Sequence, residues 1–79
     1  IRNISLRMFP NPSSNSFTVE YNTGIKRIDL LSTLGTKAKS YNSEPSKSYD
    51  ISDLENGIYL VQFITDEGKI LRTLKLLKI

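Results

Sequence analysis

The sequence predicts an all-β fold, an immunoglobulin-like antiparallel β-sandwich of about seven short strands. Apolar and polar residues alternate in several short windows rich in β-branched and aromatic side chains, the pattern of half-buried strands. Helical spacing is largely absent. Turn signals recur at intervals of roughly 8–12 residues, as they do in small sandwiches. A small barrel is the alternative closure.

The first strand spans residues 4–9, with Ile4, Leu6 and Met8 on one face and Ser5, Arg7 and Phe9 on the other, and Pro10 ends it. Residues 16–21 carry the cleanest alternation, Phe17, Val19 and Tyr21 against Ser16, Thr18 and Glu20. After Asn22, Thr23 and Gly24, residues 25–31 place Ile28 and Leu30 on one face and Arg27, Asp29 and Leu31 on the other. Leu34 and Gly35 then turn the chain, because glycine takes positive φ without a Cβ clash.

Residues 36–41 and 47–51 form weaker, more polar strands around the loop from Asn42 through Pro45 to Ser46. Lysine and proline there suit sheet edges, where they discourage foreign pairing. Residues 52–57 make a tight turn with Leu54 tucked inward and Gly57 re-aiming the backbone. Residues 58–65 are apolar on both faces, Ile58, Leu60 and Ile64 against Tyr59, Val61 and Phe63, which places this strand centrally. Asp66, Glu67, Gly68 and Lys69 close a hairpin into a final strand over residues 70–78.

Seventy-nine residues suffice for one small domain. With 38% hydrophobic and 24% charged residues, the chain is too polar for a bilayer and too apolar to stay disordered. The longest apolar stretch, ILRTLKLLKI, is interrupted by Arg72, Lys75 and Lys78, so no transmembrane segment of about twenty apolar residues is present. The absence of an initiator Met and of a signal-peptide pattern gives the look of a piece of a longer polypeptide. The net charge of +3 is spread from Arg2 to Lys78, which attracts anionic surfaces only loosely.

There is no His and no Cys. That removes the usual general base near neutral pH, the thiol nucleophile, the disulfide framework and most transition-metal ligands, so the chain reads as a non-enzyme without a cofactor. The serines of SSNS have no histidine to form a triad and read as turn residues. The carboxylates Asp50, Asp53 and Glu55, and the pair Asp66 and Glu67, fall in turns, where acids cap free backbone donors. The sharper reading of the first group is a calcium site, although its spacing is not that of an EF-hand. Tyr41, Tyr49, Lys37, Lys39 and Lys47 supply a thin case for a nucleic-acid face, and the lysines are more simply edge-strand guards, so no nucleic-acid partner is expected.

Three stretches remain that composition does not explain: MFPNPSSNSFTV, YDISDLENGIYLVQF and LRTLKLLKI. In this order and spacing, from about Leu6 to Lys78, they resemble the C-terminal sorting domain of the type IX (Por) secretion system. Phe9 precedes Pro10, Asn11 and Pro12 as an apolar residue does in that family, and Phe17 and Val19 match its following strand. Ile28, Asp29 and Leu30 lead to Leu34 and Gly35 as its middle strand leads to a Gly turn. Asp50, Ile51, Ser52, Leu54, Gly57, Ile58 and Tyr59 match its late motif, and Leu74, Lys75, Leu76 and Lys78 its final strand.

The resemblance implies a non-catalytic label that directs an N-terminal cargo across the outer membrane. It implies passage through the periplasm to the cell surface or the medium. It also implies an outer-membrane translocon as partner, cleavage of the label, and a sortase-like transpeptidase that attaches the cargo to the surface. Residues 1–5 then read as a remnant of the upstream linker and residues 6–79 as the domain. The signal motif comprises Pro10, Asn11, Pro12, Gly35, Leu54, Gly57, Tyr59, Lys75 and Lys78. The competing reading is an immunoglobulin-like accessory module that binds carbohydrate or protein, for which Tyr41 and Tyr49 are the one plausible aromatic pair.

Overall fold

A computed structural model describes residues 5–21, 24–44 and 47–79. Seven strands follow in chain order: β1 (Leu6–Phe9), β2 (Ser16–Tyr21), β3 (Ile25–Ser32), β4 (Lys37–Asn42), β5 (Lys47–Asp50), β6 (Gly57–Thr65) and β7 (Ile70–Lys78). They are those of the sequence reading to within two residues at each end. Residues 1–4 of the expected linker remnant 1–5, among them Ile4 of the expected first strand, lie outside the described residues, as do Asn22 and Thr23 of an expected turn and Pro45 and Ser46 of an expected loop.

The strands form two antiparallel sheets, β1-β2-β5 and β4-β3-β6-β7. Each is an open hydrogen-bonded set, so the chain is a sandwich and not a closed barrel. The first, second and fifth strands face the third, sixth and seventh, as in immunoglobulin-type sandwiches, with the fourth strand beside the third. β4 and β5 lie at sheet edges as their polarity suggests, and β6 lies between β3 and β7.

The alternating residues of both sheets meet in one core. Phe17 and Val19 of β2 and Tyr49 of β5 pack against Ile28 and Leu30 of β3, Val61 and Phe63 of β6, and Leu76 of β7, with Ile51 just past β5. Burial of such side chains is worth about 1.5–3 kcal/mol each and is the main source of stability in a domain lacking disulfides. Leu6, Met8 and Leu74 pack at its margins.

β6 is central, as its apolar residues on both faces suggest, with one face on the core: Tyr59, Val61 and Phe63 turn toward the core side, while Ile58 is 49% exposed and Leu60 half-buried on the other. The register shift between Phe63 and Ile64 is what lets two consecutive residues both be buried. The expectation that needs correction is that of the competing reading, because Tyr41 and Tyr49 do not form an exposed platform. Tyr49 is buried, Tyr41 half-buried, and their rings pack 5.1 Å apart, with Phe17 at 5.4 Å from Tyr49. The Tyr49 hydroxyl accepts from the Glu44 amide at 3.0 Å and donates to the Glu44 carbonyl at 3.1 Å, and the Tyr41 hydroxyl donates to the Asp50 carbonyl at 2.6 Å. Each phenol has a partner for its polar tip, which is what lets the ring go inside.

Candidate functional site

Pro10 lacks an amide proton and stops β1, and Phe9–Pro10 and Asn11–Pro12 are both cis peptide bonds. The corner at Pro10–Pro12 carries the chain from β1, at the edge of one sheet, to the outer edge of β7 in the other. There the Asn11 carboxamide behaves as a peptide unit would. Its Nδ2 donates to the Lys75 carbonyl at 2.8 Å, and its Oδ1 accepts from the Leu77 amide at 3.0 Å. Ser13 continues the pairing with its backbone: its amide donates to the Leu77 carbonyl and its carbonyl accepts from the Ile79 amide, both at 2.9 Å.

Edge groups of β7 from Lys75 to Ile79 are thereby satisfied from outside the sheet. Only a side-chain amide offers a donor and an acceptor at this spacing, so neither Asp nor Ser replaces Asn11. Ser13 is buried, forms a parallel bridge with Lys78, and donates its hydroxyl to the Pro10 carbonyl, which ties the corner to itself.

Lys78 lies opposite Gly57 at the end of the β6–β7 ladder, and its side chain is buried on the core side of β7. Its Nζ donates to Asn56 Oδ1 and to the Ile79 carbonyl, each at 3.3 Å. Burying an ammonium is costly unless its protons are bonded, and these two acceptors provide that. Gly57 has a φ of +151°, a conformation that L side chains rarely adopt, although a Cβ there would meet nothing within 4 Å. Glycine is required here by backbone shape rather than by space. Leu54 packs against the core from the turn before β6, whose Leu54 amide donates to the Ile51 carbonyl, and the Tyr59 hydroxyl donates to the Glu55 carbonyl at 2.6 Å.

Pro10, Asn11, Pro12, Leu54, Gly57, Tyr59, Lys75 and Lys78 thus gather about one end of the β6–β7 pair. Gly35 stands apart in the β3–β4 hairpin, with a φ of +90°, where its amide donates to the Ser32 carbonyl. Sequence reasoning missed Ser13 and Asn56, neither of which belongs to a periodic pattern. The sequence places Asp29 on one face of the strand with Arg27 and within the middle motif, but its burial among basic partners was not foreseen. Asp29 is buried and bonded by Arg27 Nε at 3.0 Å and the Ser40 hydroxyl at 2.7 Å, with Lys37 at 3.5 Å. Burial pushes its carboxyl up, but the bonds from Ser40 and Arg27 and the charges of Arg27 and Lys37 outweigh that and hold it below the ordinary value.

The other charged candidates are engaged at the surface. Asp50 Oδ1 accepts from the Ser52 amide, Asp53 pairs with Lys39 at 2.7 Å, and Lys47 pairs with Glu44 at 3.5 Å. Hydrogen bonds from Ser52 lower the Asp50 carboxyl and the bond from Lys39 lowers that of Asp53. Among the described residues no three His, Cys, Asp or Glu converge as a metal-holding group.

A family model described as the secretion system C-terminal sorting domain matches residues 7–76. The chain belongs to this family. The match takes in Pro10, Asn11, Pro12, Gly35, Gly57, Tyr59 and Lys75, and Lys78 lies just beyond it. No curated protein and no solved structure matches the chain. The sorting domain is a type IX signal of a family that is not catalytic, which implies export across the outer membrane to the cell surface or the medium. It also implies a type IX machinery partner and a cargo on its N-terminal side. No helix among the described residues is long and apolar enough to cross a membrane.

Proposed function

We propose that this sorting domain is read as a folded unit. Its recognised end combines the corner at Pro10, Asn11 and Pro12 with the last strand. The observation that supports this most is the pairing of Asn11 and Ser13 with the β7 edge, since it makes the earliest and latest motifs of the sequence one object in space. Gly57, Leu54 and Tyr59 shape the turn beneath that end, Lys78 anchors it, and Lys75 presents a charge from it. Gly35 serves the β3–β4 hairpin alone.

In this reading an outer-membrane translocon takes up the domain from the periplasm with its cargo. The chain is cut in the linker to which residues 1–5 belong, ahead of a domain spanning residues 6–79, and a sortase-like transpeptidase joins the cargo to the surface. The accessory-module alternative loses its carbohydrate platform, because Tyr41 and Tyr49 are packed against Phe17.

The test is a transfer of function. A reporter protein with its own inner-membrane export signal, fused ahead of residues 1–79, is expected in the medium or on the surface of a type IX-secreting bacterium. A fusion that stays wholly in the periplasm contradicts the proposal.

A further inference from the structure

One face of an antiparallel sheet in a sandwich packs on the core and the other meets water, so the outer face is ordinarily polar. Around β6 and β7 it is not. Ile58 and Leu77 stand directly opposite one another, 49% and 38% exposed. Leu60, next along that face of β6, is flanked by Lys75 on β7 and Leu31 on β3, and both leucines are half-buried. Strand alternation fixes the direction, because Leu30, Val61 and Leu76 beside them are fully buried in the core. These side chains form one contiguous apolar patch, and such patches mark interaction surfaces.

Lys75 sits within the patch, exposed, and no ion pair among the described residues includes it. The nearby outward carboxylate, Asp29, is buried and already bonded by Arg27, Lys37 and Ser40.

We propose that Leu31, Ile58, Leu60 and Leu77, arranged about Lys75, dock a protein of the secretion machinery whose surface presents apolar side chains around a carboxylate that meets Lys75. This inference rests on the sorting-signal reading. The closed edge of β7 directs contact to this face: strand addition between Lys75 and Ile79 would first have to displace Asn11 and Ser13. A second copy of the chain fits poorly, because a two-fold interface sets the patch against itself and its one carboxylate, Asp29, is not accessible to Lys75. An anionic lipid surface fits poorly too, since such recognition uses clusters of about 4–8 basic residues and this face offers one unpaired lysine.

The test compares secretion of the full-length protein carrying this domain with secretion of Lys75→Glu, Lys75→Arg, and Ile58→Ser combined with Leu77→Ser. All three changes fall on exposed positions, and thermal unfolding of each purified domain checks that it folds. Lys75→Glu sets like charges together, and it and the double serine variant are expected to lower the secreted fraction at least tenfold, with Lys75→Arg near wild type. Folded variants secreted as well as a secreted wild type would overturn the docking face and leave the sorting reading standing. A wild-type protein that stays in the periplasm would overturn both. Vesicles of phosphatidylglycerol that bind the wild-type domain and not Lys75→Glu would overturn the protein partner in favour of lipid. A concentration-dependent dimer lost in the serine variant would overturn it in favour of a second copy.

Discussion

Removal of residues 74–79 from the full-length protein is expected to abolish secretion and leave the cargo in the periplasm. The deletion takes away five of the eight paired positions between β6 and β7. With them go the fully buried Leu76, the anchor Lys78, and every β7 backbone group that Asn11 and Ser13 hold. Leu76 alone is worth about 1.5–3 kcal/mol of burial, and each lost hydrogen bond about 0.5–1.5 kcal/mol. A domain of this size has about 4–12 kcal/mol in total, so the sheet that would be recognised no longer stands. Fractionation of cells into periplasm, outer membrane and medium reads the outcome directly. Normal secretion of the shortened protein would show that neither the last strand nor the fold it completes is needed.

Phe17→Ala is expected to cost about 3–5 kcal/mol, the largest effect of any single truncation in the core. Phe17 is fully buried near the start of β2, faces Tyr49 at 5.4 Å, and meets Tyr41 edge-on at 6.2 Å. Its removal opens a void between the two sheets and strips one ring from a cluster whose other members are held by hydroxyl bonds to the Glu44 and Asp50 backbone. Urea unfolding followed by circular dichroism measures the loss. A change below about 1 kcal/mol would mean that β2 does not supply the centre of the core.

The strands were legible because alternation is a direct record of which residues face the core. Phe17 and Val19, and Ile28 and Leu30, sit where a period of two puts them. Burial of Tyr41 and Tyr49 was not legible. Composition cannot tell a ring on a polar edge strand that faces water from one whose hydroxyl finds a backbone carbonyl inside. The exposure of Ile58 was not legible for a related reason, since apolar residues on both faces of a strand do not say which face meets water. The joining of Asn11 to Lys75 and Leu77 lies 64 and 66 residues apart in the chain and depends on side-chain-to-backbone bonds, which leave no periodic trace. Family resemblance supplied the motifs in order, and the structure supplies the reason that the first and the last belong together.

Amide hydrogen exchange at Leu77, measured in the wild-type domain and in Asn11→Ala, bears most directly on that union. The Leu77 amide points away from β6 and bonds to Asn11 Oδ1 at 3.0 Å. Losing that acceptor is expected to speed its exchange about tenfold, the equivalent of about 1.4 kcal/mol, while Val61 in the middle of the sheet keeps its protection. Unchanged exchange at Leu77 would contradict the claim that the Pro-Asn-Pro corner and the final strand form a single unit.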